Sequence, residues 1–205
     1  MKYKWLNKEG NNKLILFFNG WGMNENVVKH LDCEDYDVLM FYDYNTLDSD
    51  FDFNSLSIYS EKNLIAWSMG VMVGGKYLDK LGLLKQTVAI NGTLKPIDAE
   101  FGIHPKIYDL TIKGFDENGR DRFIKSMFDE DVEIACSRNI ENQHSELIAL
   151  KNYKANETFK YNKVLISDND KIIPTKSQVD FWGIEPNLKG GHCPFFQFEK
   201  WSELL

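Results

Sequence analysis

The sequence predicts an α/β fold, a mostly parallel sheet flanked by helices. Short apolar runs alternate with stretches of helical spacing, the pattern of strands joined by crossover helices. At 205 residues the chain suits one domain, and a hydrophobic content of 43% is enough for a sizeable core. Between residues 93 and 162 the alternation gives way to charged amphipathic pieces, which predicts a helical insertion between two strands of one sheet.

Taken in order, Leu14–Phe18 reads as the first buried strand, ending at the turn Asn19-Gly20-Trp21-Gly22. A helix is expected near Glu25–Leu31. Asp37–Tyr42 is a second strand and Asn63–Ala66 a third, running into Trp67-Ser68-Met69-Gly70. Met69–Leu81 has helical spacing, with Met72, Tyr77, Leu78 and Leu81 apolar and Gly82 as the stop signal. Thr87–Ile90 is a fourth strand, closed by Asn91-Gly92, and Lys163–Ser167 a fifth. Within the insertion, Arg122–Phe128 reads as an amphipathic helical piece. An insertion at this place is expected to lie as a lid over the carboxyl ends of the strands, where open α/β sheets place their sites. The bland alternative is a second small helical domain with no role at the site.

Composition excludes several functions. A net charge of −7 argues against a nucleic-acid binder, which carries a basic stripe. No apolar run approaches the roughly 20 residues of a membrane span, and Met1–Trp5 lacks a signal-peptide core. Cys33, Cys136 and Cys193 are odd in number and scattered, unlike a disulfide framework or a paired metal site. The expectation is a reduced, cytoplasmic protein.

The chemistry starts at Ser68. A buried strand before it and a helix after it form the strand–turn–helix on which a nucleophilic serine is held. The positions two before and two after must be small, because the strand and helix backbones meet there; they are Ala66 and Gly70. Alanine departs from the usual glycine but is still small. The competing role for Ser68 is a helix N-cap.

Nucleophilic serines of this kind are followed in the chain by an acid and then a histidine. The run Val164–Pro174 supplies a strand, a turn carrying Asp168 and Asp170, and a proline that opens a helix. Either aspartate is placed to reach an imidazole, and either could simply form the turn. His192 lies in Gly190-Gly191-His192-Cys193-Pro194, a fixed loop from which it could take the serine proton while the aspartate orients its ring. His30 precedes Ser68, and His104 and His144 lie in the insertion, so these are poorer candidates. Cys193 is read as a packing residue.

Acyl transfer also needs backbone N–H groups facing the developing oxyanion. One is expected from Met69, after the nucleophile. The other is expected from Trp21 in the Gly-rich loop after the first strand, with its indole walling an acyl pocket. Met69, Met23 and Phe128 are further expected pocket residues.

Together the segments FFNGWGM (17–23), LIAWSMG (64–70), AINGTLKPIDAEFGI (89–103), LISDNDKIIP (165–174) and GGHCPFF (190–196) resemble the pimeloyl-ACP methyl ester esterases of biotin synthesis, the short BioG-type family. The resemblance spans essentially the whole chain. It implies an α/β-hydrolase fold with a compact lid, and it favours Asp170 over Asp168. It also implies hydrolysis of the methyl ester of pimeloyl-ACP methyl ester to pimeloyl-ACP and methanol, with acyl carrier protein as partner and no metal or organic cofactor; a monomer is expected. The chain has only three arginines, Arg120, Arg122 and Arg138, all in the insertion. Arginine suits phosphate and carboxylate, so these three are expected to dock the acidic carrier. The alternative is a solvated face, since Asp129, Glu130, Asp131 and Glu133 lie beside them. Two other functions share the same residues: a generic carboxylesterase or thioesterase, and a silent hydrolase-fold protein that binds an acyl chain or a partner.

Overall fold

A computed structural model describes residues 1–128, 138–154, 156 and 158–205. Six strands form one sheet: β1 (Lys2–Asn7), β2 (Lys13–Phe18), β3 (Tyr36–Tyr42), β4 (Glu61–Trp67), β5 (Gln86–Ile90) and β6 (Lys163–Leu165). Their order is β1-β3-β2-β4-β5-β6. Every pairing is parallel except that of β1 with β3. Helix α1 (Met69–Leu81) follows β4 and α5 (Thr175–Trp182) follows β6. Among the described residues three helices lie between β5 and β6: α2 (Pro105–Lys113), α3 (Glu117–Ser126) and α4 (Ile140–Lys151). None of the described helices is long and apolar enough to cross a membrane.

The central strand explains why the apolar runs are continuous. Leu14, Leu16 and Phe18 point to one face of the sheet and Ile15 and Phe17 to the other, all fully buried. Strands covered on both faces lose the polar alternation. The first face packs against α1 (Val71, Met72, Tyr77), α5 (Phe181, Trp182) and the insertion. The second face is covered by Val27, Val28 and Leu31 and by the chain end, with Phe195, Trp201 and Leu204. That side carries short 3₁₀ turns (Phe195–Gln197, Trp201–Leu204) in place of long helices.

Four local expectations change. The segment Glu25–Leu31 is not an α-helix. It is a 3₁₀ turn over Glu25–Val27 followed by a second tight turn, closed by Val28 N to Glu25 O and Leu31 N to Val28 O. The fifth strand stops at Leu165 because side chains take over its ladder: Ile166 N donates to Asn187 Oδ1 and Ser167 N to Asn91 Oδ1. The piece expected at Arg122–Phe128 is α3, which starts earlier because Asp116 caps it through Gly119 N, and ends at Ser126. Strand β1 is new. It carries Lys2 and Lys4 on an exposed edge, so its apolar pattern is weak.

The junction of β4 and α1 is the tightest point of the fold. A Cβ on Gly70 would lie 2.2 Å from Phe18 O and 2.6 Å from Asn19 O. Both are main-chain atoms, one at the end of a central strand, and neither can move aside. Gly70→Ala is therefore expected to lower stability by about 3 kcal/mol or more. For a chain of this size that is a fall of roughly 6–12 °C in Tm, readable by thermal unfolding.

Candidate active site

Ser68 sits at the turn with φ 58 and ψ −126. Left-handed φ is rare for a residue with a Cβ and is held only where the surroundings enforce it. Its hydroxyl makes no capping bond to α1. Instead Oγ lies 2.8 Å from His192 Nε2, and His192 Nδ1 lies 2.7 Å from Asp170 Oδ2. All three residues are buried. The structure thus brings Ser68, Asp170 and His192 into one hydrogen-bonded relay. Asp168 faces outward and pairs with Lys189 at 2.8 Å, where it also accepts Gly190 N. It shapes the histidine loop from outside. The other histidines have local partners: His104 caps α2, His30 meets Phe195 O and His144 meets Ile112 O.

Asp170 and His192 are held in part by side chains that the sequence did not reveal as site residues. Asp170 Oδ1 accepts Ile172 N and Ile173 N, while Oδ2 accepts Gln178 Nε2 at 2.8 Å besides His192. Four donors therefore fix the carboxylate. Asn91 Nδ2 donates to His192 O at 2.9 Å and to Ser167 Oγ at 2.7 Å, tying the histidine loop to the aspartate strand. Trp67 Nε1 donates to His192 O at 2.8 Å. Asn91 lies in a segment whose pattern was already distinctive; Gln178 carried no signal. Cys193, next to His192, is buried, and burial pushes its thiol well above the usual range. A neutral thiol is a weak nucleophile.

The loop after β2 leaves one amide over. Asn19 N donates to Phe41 O, Gly20 N to Asn19 Oδ1, Gly22 N to Glu146 Oε2 and Met23 N to Gly20 O. Among the described residues Trp21 N alone in this run has no acceptor. Met69 N opens α1 and so has no intrahelical partner. These two amides are the ones expected to face an oxyanion.

Trp21, Ser68 and Met69 line one cavity of about 520 Å³, walled by Tyr108, Phe115 and Phe123 of the insertion. Trp21 packs edge-on against Phe115 and Phe123, with ring centroids 5.1 and 4.8 Å away. Arg122 and Lys171 also reach this cavity. Met23 and Phe128 do not. Both are packed in the core on the opposite face of the sheet, because the chain on either side of the site turns them away from it.

The three arginines divide. Arg122 lines the cavity. Arg120 is partly exposed and binds its neighbour Asp121 at 3.2 Å. Arg138 cannot dock a carrier as it stands: its side chain is 8% exposed, paired with Asp43 at 3.3 Å and Glu146 at 2.7 Å. Cys136 and the acids Asp129, Glu130, Asp131 and Glu133 lie outside the described residues.

Asp43 gives this buried pairing a pH limit. Burial pushes its carboxyl up, but hydrogen bonds from Lys2 and Asn45 and the charge of Arg138 outweigh that, holding it at about 2 against the ordinary 3.8. A carboxyl lowered on folding stabilises fully above its unfolded value, and the gain is lost as pH falls through the folded one. Tm is therefore expected to fall between about pH 4 and pH 2, with a shallower fall in Asp43→Asn, measured by thermal melts across that range.

A family model described as "Pimeloyl-ACP methyl esterase BioG" matches residues 1–204. An uncharacterized protein of Haemophilus influenzae is 35% identical over 100% of this chain and 99% of its own length. The crystal structure of BioG from Haemophilus influenzae superposes with a TM-score of 0.89 at 33% identity, covering 100% of this chain and 99% of that one. A malonyl-[acyl-carrier protein] O-methyltransferase of Bacteroides fragilis is 38% identical over 82% of this chain, which spans only 36% of that protein. An esterase of Exiguobacterium antarcticum shares the fold, with a TM-score of 0.66 at 12% identity over 93% of this chain and 87% of that one. The chain has the α/β-hydrolase fold and belongs to the pimeloyl-ACP methyl esterase BioG family.

Proposed function

We propose that this chain is a serine carboxylesterase that hydrolyses the methyl ester of pimeloyl-ACP methyl ester, giving pimeloyl-ACP and methanol for biotin synthesis. The observation that carries the reading is the Ser68–His192–Asp170 relay at the floor of an apolar cavity, in a chain matched end to end by that family. Ser68 Oγ attacks the ester carbonyl while His192 Nε2 takes its proton. Trp21 N and Met69 N stabilise the oxyanion. Methanol leaves with the proton from His192, and the acyl group stays on Ser68. His192 then takes a proton from water, whose oxygen attacks the acyl carbonyl, and the carboxylate departs as Ser68 regains its proton. Asp170 holds the ring and stabilises its cation throughout. The activity named for the Bacteroides fragilis relative is not carried over, since this chain spans 36% of that protein.

The insertion is the lid of this site, and the aromatic walls hold the acyl chain. Arg122, with Lys171 across the cavity, meets the phosphate of the carrier's prosthetic arm, and Arg120 on the same helix extends that contact. Arg138 has a structural role instead. The enzyme works as a cytoplasmic monomer with no metal or organic cofactor. Arg122→Ala is expected to raise KM for the carrier-bound ester by roughly 10–100-fold, the loss of about one charge-assisted hydrogen bond. Hydrolysis of a small free ester should be unchanged in the same variant; an unchanged KM for the carrier-bound ester removes Arg122 from docking.

The reading is tested by mass spectrometry of the carrier after incubation with the protein. Loss of one methylene equivalent with the thioester intact is expected. An untouched substrate overturns it, and release of the free carrier thiol assigns a thioesterase.

A further inference from the structure

Glu146 is a fully buried acid on α4 that takes no part in the serine chemistry. Both of its oxygens accept main-chain amides: Oε1 from Tyr44 N at 2.7 Å and Oε2 from Gly22 N at 3.2 Å. Arg138 Nη1 lies 2.7 Å from Oε2. Three residues earlier, on the same helix face, Gln143 Nε2 donates to Gly22 O at 2.8 Å and Gln143 O accepts Trp21 Nε1 at 2.9 Å. Helix α4 therefore grips the N–H and the C=O of Gly22 and the indole of Trp21. A buried ion pair gives little stability over apolar packing of the same volume. The cluster needs another explanation.

The gripped segment is a four-residue turn. Met23 N donates to Gly20 O, and Gly22 sits at φ 73. Positive φ at the third position marks a type II turn, which converts to type I when its central peptide flips. That peptide joins Trp21 to Gly22, and its N–H is the one Glu146 holds. In the held form Trp21 N is the amide left over beside Ser68. A flip would turn that N–H away from Glu146 and release the turn, and with it the preceding Gly20–Trp21 peptide that carries Trp21 N.

We propose that Gln143 and Glu146 are positioning residues that lock the turn in its productive form, so that the insertion completes the oxyanion hole as well as covering it. This rests on the reading of Ser68 as nucleophile and Trp21 N as oxyanion donor. Glu146→Gln leaves a single acceptor for two amides, with Asp43 still paired to Arg138. Gln143→Met removes the grip on Gly22 O and keeps the main-chain bond to Trp21.

The experiment measures hydrolysis of a short p-nitrophenyl ester, which needs no carrier, together with inhibition by a trifluoromethyl ketone, which forms an oxyanion on the serine. Wild type, Ser68→Ala and both variants are compared, with thermal melts. Each variant is expected to lose about 10–100-fold in kcat, with KM within about two-fold and ketone affinity falling in parallel with kcat/KM. If Glu146→Gln does not fold, Gln143→Met decides alone. Wild-type kcat in the folded variants overturns the proposal, as does a loss of kcat with ketone affinity retained. Hydrolysis surviving in Ser68→Ala would overturn the serine reading itself, which separates the two failures.

Discussion

Ser68→Ala is expected to lower kcat for methyl ester hydrolysis by about 10⁴–10⁶-fold, leaving the rate that the oxyanion donors and binding supply on their own. The loss should come without unfolding. Alanine keeps a Cβ at φ 58, so the turn stays as strained as before, and among the described residues the deleted hydroxyl made its hydrogen bond only to His192. Removing one such bond costs about 1 kcal/mol, a shift of roughly 2–4 °C in Tm. Steady-state rates and a thermal melt on the same preparation separate the two effects. A variant that hydrolyses the ester at a tenth of the wild-type rate would place the nucleophile elsewhere.

Asp170→Asn is the second large effect. The carboxylate accepts from Ile172 N, Ile173 N, Gln178 Nε2 and His192 Nδ1, so each oxygen faces two donors. An asparagine amide must turn its NH₂ toward one of these pairs. Toward the main-chain pair, it leaves its oxygen to His192 and Gln178 but abandons two buried N–H groups. Toward His192, it selects the tautomer with the proton on Nε2, which cannot accept from Ser68. The expected loss in kcat is about 10⁴-fold, with KM nearly unchanged. A loss below about 10-fold would show that the carboxylate is not what orients the ring. The same geometry assigns Gln178 a supporting role: its nitrogen divides between Asp170 Oδ2 and Ile173 O, and its own oxygen has no partner among the described residues.

The buried parallel strands were legible because both faces are covered, which turns Leu14–Phe18 and Asp37–Tyr42 into continuous apolar runs. Strand β1 was not, since an antiparallel edge strand with Lys2 and Lys4 exposed has no such run. Ser68 and His192 could be named from motif and chain order, Asp170 over Asp168 only from the family resemblance, and the fold brings the three within hydrogen-bonding distance. Their supports could not. Asn91, Gln143 and Glu146 act through contacts between segments far apart in the chain, and Gln178 through the bend between β6 and α5, where hydrophobic periodicity leaves no mark. Arg138 shows the same limit: charge type alone does not separate an exposed docking group from a buried partner of Asp43 and Glu146. Met23 and Phe128 sit beside site residues in sequence yet pack on the other face of the sheet, where chain direction rather than proximity decides.

The most direct test is the intact mass of a rapidly quenched single turnover, with enzyme in excess over methyl-pimeloyl carrier protein. Attack on the methyl ester expels methanol and leaves the far end of the acyl chain on its thioester. The intermediate is then a covalent conjugate of enzyme and carrier, joined at Ser68 and lighter than the sum by one methanol. That species, mapped to the Ser68 peptide and absent from Ser68→Ala, is the predicted result. A carrier-free methyl-acyl adduct on Ser68, or product formed with no adduct on Ser68, would contradict it.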